Sequence, residues 1–186
     1  MNVAIIGAGP LGRRLALAAA RAGFRVALED VMPANLRHAS EALRQQLGAE
    51  LLLAAEGAVP AVSFVSTVED AVREADLAID CVPDELESKL EIFCLLDRMA
   101  PPRTVLVTPT TRLSISDLAA CTYRAGKCVA VAAEASELAA SESGEWPAAL
   151  LLRTGAQTTP ETVALVEQFW RGLGFLPRFE PDTFAY

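Results

Sequence analysis

Three glycines and one carboxylate stand first in the chain's chemistry. Gly7, Gly9 and Gly12 fall in Gly7-Ala8-Gly9-Pro10-Leu11-Gly12, directly after the apolar run Val3-Ala4-Ile5-Ile6. Asp30 closes a second apolar run, Val26-Ala27-Leu28-Glu29. Each position has a physical task. Gly7 suits a tight turn after a strand, Gly9 leaves room for a pyrophosphate, and Gly12 lets a helix lie close to a sheet. The N–H groups in the stretch from Gly9 to Leu11 stand where a helix opens, with Pro10 itself supplying none, and the positive helix end attracts phosphate. Asp30 is placed to accept hydrogen bonds from ribose hydroxyls. A 2′-phosphate would face that carboxylate with Glu29 beside it, and the next basic residue is Arg37. The pattern therefore points to NAD rather than NADP. Glu29 alternates with Asp30 and is expected on the other side of its strand, solvated or facing a helix.

Later residues are candidates for the nicotinamide half. Cys81-Val82-Pro83-Asp84 leaves the end of a fourth strand, and Val82, Pro83, Asp84 and Lys89 are candidate cofactor contacts. For Asp84 and Lys89 the alternative is surface charge on a helix, Asp84 in its first turn. Thr108-Pro109-Thr110-Thr111 follows a fifth strand, where the hydroxyls either line the cleft or make local turn bonds. Thr111 and Arg112 are candidate substrate contacts, with a solvated arginine as the alternative. Glu134 follows a sixth strand. A glutamate serves as a base when burial raises its pKa, so Glu134 and Thr111 are candidate catalytic residues, with Glu137 and Ser136 nearby. Tyr123 and Tyr186 stand in no lysine-paired motif. The one histidine, His38, lies in a helix on the adenosine side and reads as a surface residue.

The elements that would position these groups alternate in type. Strands are expected at Asn2–Ile6, Arg25–Glu29, Val62–Val65, Leu77–Val82, Thr104–Val107, Lys127–Ala133, Ala148–Leu152 and Gly174–Pro177. Helices are expected at Pro10–Ala22, roughly Pro33–Glu56, Val68–Arg73, Glu85–Met99, a segment capped by Ser114 or Ser116, and Pro160–Gly172. Pro10 fits a first helical position. Thr67 and Thr159 read as N-caps. This is a Rossmann-type α/β fold: a doubly wound, mostly parallel sheet of about seven or eight strands with helices on both faces. The 186 residues form one dinucleotide-binding domain in this reading.

Net charge is −8 and the pI about 4.7, which speaks against nucleic acid or an anionic membrane as partner. Cys81, Cys94, Cys121 and Cys128 form no C-x-x-C pair and read as reduced thiols. No signal peptide or spanning segment is legible, so the expected location is cytoplasmic.

Taken together these stretches resemble the NAD-binding domain of the L-3-hydroxyacyl-CoA dehydrogenase family. The resemblance runs through the glycine turn, Val26–Asp30, Ala75-Asp76-Leu77-Ala78-Ile79-Asp80-Cys81-Val82-Pro83-Asp84-Glu85-Leu86, Lys89 and Ile92-Phe93. It continues through Leu95-Leu96-Asp97, Thr110–Ile115 and Thr158–Thr162. It implies NAD, and oxidation of a 3-hydroxyl by a histidine base held by a glutamate. The departures fall on that chemistry. Ala132 stands at about the histidine position, and the glutamate's strand reads Ala149-Leu150-Leu151-Leu152. Thr111 matches the substrate serine, and Pro109 replaces an asparagine. The family's second domain has no counterpart in the sequence.

Three functions compete. The first is an NAD(H)-binding protein without conventional dehydrogenase activity of its own. The second is an active oxidoreductase on a hydroxyacyl-CoA or small hydroxy acid, using Glu134 or a partner's residue. The third is an interaction or scaffold domain that has lost the cofactor. A homodimer or a heterologous partner is expected to cover the nicotinamide edge, through the aromatic tail Phe179, Phe184 and Tyr186. No metal site is expected.

Overall fold

The computed structural model describes residues 1–52, 62–134, 138 and 149–183. Eight strands form one sheet: β1 Asn2–Ile6, β2 Arg25–Glu29, β3 Val62–Val65, β4 Leu77–Asp80, β5 Val105–Pro109, β6 Cys128–Val131, β7 Ala149–Thr154 and β8 Leu176–Pro181. Among the described residues the helices that lie against it are α1 Pro10–Arg21, α2 Pro33–Leu52, α3 Val68–Val72, α4 Leu86–Met99, α5 Ile115–Ala120 and α6 Pro160–Gly172. The strand order is β3-β2-β1-β4-β5-β6-β7-β8, parallel except where β6 meets β7.

Burial on both faces explains the near-continuous apolar strands. Side chains alternate across a strand. Val3, Ile5, Leu28 and Ile79 therefore face one core with Leu15 of α1 and Phe169 of α6. Ala4, Ile6, Ala27 and Ala78 face the other, with Ala71 of α3 and Phe93 of α4.

The expected caps are present. Thr67, Ser114 and Thr159 each accept the N–H three residues on, from Asp70, Asp117 and Thr162. Several ends differ from expectation. β4 stops at Asp80 rather than Val82, because the Asp80 carboxylate accepts the Val82 N–H at 2.8 Å and turns the chain. α4 begins at Leu86, so Asp84 precedes the helix rather than lying in its first turn. β8 starts at Leu176 and runs to Pro181, because it pairs with all of β7. The last four residues of the predicted second helix lie outside the described residues, as do Phe184 and Tyr186.

The order reverses between β1 and β4. β2 and β3 extend to one side, β5 and β6 to the other. A crevice opens above the carboxyl ends of strands at such a reversal, and ligands of open α/β sheets bind there. Ile6 and Asp80 are register partners at this point, and Cys81 N–H donates to Ile6 O at 2.8 Å.

Candidate functional site: a crevice above β1 and β4

The glycine turn has the geometry its spacing predicts. Gly7 has φ +104°, a backbone conformation that disfavours any side chain. Its N–H donates to Glu29 O at 2.9 Å. A Cβ on Gly9 would meet nothing within 4 Å, so this stretch faces open space. A Cβ on Gly12 would sit 1.8 Å from Gly7 O. Gly12 therefore lets α1 start directly against the turn, with Pro10 as its first residue.

Asp30 is buried and held by three donors. Its carboxylate accepts from Ala8 N–H at 2.9 Å, Met32 N–H at 2.8 Å and the Asn35 side-chain amide at 3.0 Å. The acid that ends β2 thus holds the glycine turn after β1. Asn35 was not among the residues singled out from sequence. Its one legible signal is its place one turn into the helix that follows Asp30.

Glu29 takes the second of its two expected places, facing helices rather than solvent. It is not solvated: it is 2% exposed, and its Oε1 is buried without a hydrogen-bond partner among the described residues. Burial, with the Asp30 carboxylate beside it, pushes the Glu29 carboxyl up to about 7. It lines a cleft of about 600 Å³ with Gly7, Gly9, Asp30, Val82 and Pro83. The remaining wall is largely apolar, from Val31, Val68, Ile92 and Leu95, with Ser88 and Glu91 at the α4 side.

The floor beneath Val82 and Pro83 is a buried ion pair. Lys89 Nζ lies 3.0 Å from Asp80 Oδ2, with the two side chains 1% and 0% exposed. Asp80 also accepts from Thr108 Oγ1 at 2.8 Å, and Lys89 reaches Val82 O at 3.4 Å. Burial raises the Asp80 carboxyl, while Lys89, the Val82 N–H and Thr108 pull against it. Lys89 is therefore not a surface helix charge. It and Thr108 lie under the loop that leaves β4. Asp80 was not singled out from sequence, although an acid inside an apolar strand run signals a buried partner.

A second polar group sits at the carboxyl ends of β5 and β6. Thr111 Oγ1 donates to Glu134 Oε1. Thr111 N–H points to Asp84 Oδ2 at 3.4 Å, and Arg112 Nη2 donates to Asp84 O at 2.9 Å. Asp84 Oδ1 is buried and unpartnered among the described residues. The Arg112 side chain is 69% exposed. Thr110 instead makes local bonds, accepting from Leu113 N–H at 3.0 Å. The structure places Thr111, Arg112, Asp84 and Glu134 together, four residues singled out from sequence on separate arguments.

The positions assigned by resemblance to the histidine and its glutamate are also neighbours. Ala132 N–H donates to Leu151 O at 2.9 Å. No imidazole or carboxylate occupies either place. His38 is exposed on α2, and Tyr123 is fully exposed. Ser136, Glu137 and Tyr186 lie outside the described residues. Among the described residues no cluster of metal-ligating side chains occurs, and no helix is long and apolar enough to cross a membrane.

A parallel sheet reversing at β1/β4, a glycine turn over that reversal and an acid ending β2 define a dinucleotide-binding Rossmann domain. The chain belongs to the family described as 3-hydroxyacyl-CoA dehydrogenase, NAD binding domain, which matches residues 2–132. A probable 3-hydroxybutyryl-CoA dehydrogenase from Bacillus subtilis is 33% identical over 129 residues, covering 66% of this chain and 45% of its own length. The 5-formyl-3-hydroxy-2-methylpyridine 4-carboxylate 5-dehydrogenase of Mesorhizobium japonicum is 29% identical over 182 residues, 95% of this chain and 56% of that one. A crystal structure of an enzyme of that name, described as an NAD+ dependent dismutase, has a TM-score of 0.78 and 28% identity, covering 98% of this chain and 58% of its own. The human lambda-crystallin homolog is 32% identical over 136 residues, 68% of this chain and 42% of that protein. The chain spans about half the length of the curated relatives it matches.

Proposed function

We propose that this protein binds NAD(H) in the β1/β4 crevice and does not carry out conventional hydroxyacyl-CoA oxidation with its own residues. The observation that carries this reading is the contrast within one site: an intact glycine turn locked to Asp30, and Ala132 beside Leu151 where the family chemistry needs a base and its carboxylate. The open approach at Gly9 and the cleft of about 600 Å³ fit a dinucleotide. In this reading the N–H groups from Gly9 through Gly12, opening α1 at Pro10 and Leu11, take the pyrophosphate, and Gly7 shapes the turn. Asp30 takes the adenosine ribose. Val82 and Pro83 line the base and Asp84 the nicotinamide ribose. Lys89 and Thr108 act through Asp80, holding the loop above them. The bound nicotinamide would supply a hydride acceptor or donor.

Calorimetric titration with NAD, NADH and NADPH tests this, with Asp30→Asn as the control. Asparagine removes the charge and keeps an acceptor for only one of the Ala8 and Met32 N–H groups, so the variant's unfolding is measured alongside its binding. NADH is expected to bind, NADPH at least about tenfold more weakly, as a 2′-phosphate facing a carboxylate requires. Absence of binding by either cofactor overturns the reading.

The Thr111–Glu134 hydrogen bond favours a second reading, an oxidoreductase in which Glu134 orients or deprotonates a substrate hydroxyl. Arg112 at the rim suits a small carboxylate, the group carried by the substrate in the pyridine dehydrogenase's name. Turnover of NAD with hydroxy acids that vanishes in Glu134→Gln would establish it. A second copy of the chain, or another protein, is proposed to cover the nicotinamide edge. The thiols Cys81, Cys94, Cys121 and Cys128 are all free, which fits a cytoplasmic setting.

A further inference from the structure

We infer that Glu29, in its neutral acid form, pairs with the adenine base of the bound dinucleotide, so that binding is linked to a proton. The inference rests on the dinucleotide reading and adds a residue and a pH dependence to it.

Its basis is geometric. Glu29 shares a strand face with Ala27, the face that packs toward α3 and α4. Its side chain lines the cleft beside Val31, Val68, Val82, Ile92 and Leu95. These apolar walls suit a flat base. In the midst of them one polar atom, Glu29 Oε1, is buried without a partner among the described residues. A buried polar atom left unmatched costs free energy. A ligand that supplies both a donor and an acceptor at that place removes the cost.

Adenine has that pattern. Its exocyclic amine donates, and the adjacent ring nitrogen accepts. A glutamine side chain pairs with adenine through its N6 and N7 in this way. A protonated carboxyl offers the same combination, one O–H donor and one carbonyl acceptor. A carboxylate offers acceptors alone and would meet the ring nitrogen's lone pair with repulsion. The neutral form is therefore the one that matches the base on two atoms.

The surroundings favour that form. Burial and the adjacent Asp30 carboxylate already bring Glu29 to the neutral range. Glu91 of α4 is a further acid lining the cleft. From α3 the cleft receives Val68; Glu69 is exposed, and Asp70 lines a separate pocket with Arg25 at the other end of β2. β1 and β3 carry no titratable side chain. α1 carries Arg13, Arg14 and Arg21, but packs on the opposite sheet face with Leu28. No cation among the described residues lines the cleft.

The test measures NADH affinity from pH 6 to pH 8.5 for the wild type, Glu29→Gln and Glu29→Val. Proton uptake is read in parallel, by calorimetry in two buffers of different ionisation enthalpy. The wild type is expected to lose affinity as pH rises, by up to about tenfold per unit above the Glu29 pKa, with protons taken up on binding. Glu29→Gln, a permanently neutral donor and acceptor, is expected to bind with little pH dependence and no such uptake. Glu29→Val should bind more weakly than the wild type at pH 6. ADP-ribose should follow NADH, and nicotinamide mononucleotide should not. Wild-type binding that is flat with pH, or a Glu29→Gln profile that parallels the wild type, overturns the pairing while leaving the dinucleotide reading standing. Failure of the wild type to bind NADH at any pH overturns both.

Discussion

The crevice has two ends, and they are furnished differently. At the β1/β4 end, Asp30 is tied to Ala8, Met32 and Asn35, and Asp80 to Lys89, Val82 and Thr108, while Glu29 Oε1 alone between them has no partner among the described residues. At the β6–β7 end, the Ala132 N–H meets the Leu151 carbonyl, and Glu134 is bonded to Thr111. Both ends rest on the same sheet and the same kind of strand. The described strands form one sheet without the base-and-carboxylate pair, whereas the ion pair beneath the β4 loop is buried in its foundation. Binding parts and reacting parts of such a site separate cleanly.

The largest expected effect strikes that foundation. Lys89→Met leaves the Asp80 carboxylate buried without its cation, and removing one member of a buried pair costs about 3–5 kcal/mol. Urea unfolding measures it. A loss below about 1 kcal/mol would place Asp80 among ordinary polar contacts and blur the contrast between the two ends.

Glu29 comes next. Its folded-state carboxyl lies up at about 7, against an ordinary value of 4.5. A carboxyl raised on folding gives stability that is present at low pH and lost as pH climbs from about 4.5 to about 7. By linkage the swing is about 3 kcal/mol. Unfolding free energy should therefore fall across that window in the wild type more steeply than in Glu29→Gln. Parallel curves for the two proteins would contradict it.

Gly12→Ala follows, at about 1–3 kcal/mol. The new methyl meets the Gly7 carbonyl, a backbone atom that yields only if the turn moves. NADH affinity should drop with stability. Thr111→Val is the smallest, within about 0.5 kcal/mol of the wild type in stability and unchanged in NADH affinity. A large loss of NADH binding in Thr111→Val would show the two ends to be one unit after all.

Much of this was legible beforehand because the signals were local. Proline at the start of α1, threonine caps on α3 and α6, and apolar runs of strand length each act over a few residues, and they set those elements correctly. The Gly–Asp30 arrangement was legible for the same reason. For Glu29, alternation along β2 reported the side it faces but not whether water or a helix lies there; α3 and α4 cover that side and arrive from distant sequence. Lys89 read as either a cofactor contact or a helix-surface charge, and neither reading reached its partner Asp80, which stands on β4 across a loop. The end of β4 was missed through the same acid: Asp80 bonds the Val82 N–H and bends the chain where an apolar pattern still runs on. The β8 boundary depended on pairing with β7, which no property of residues 174–181 announces.

The clamp on Asp30 also bears on how a ligand would be received. A carboxylate free to rotate must give up that freedom when it grips a ribose, and immobilising a side chain at an interface costs about 0.5–1.5 kcal/mol. Here the Ala8 and Met32 amides and the Asn35 side chain have already fixed the torsions. The entropic loss is taken when the chain folds, so the oxygen atoms stand oriented before any partner arrives.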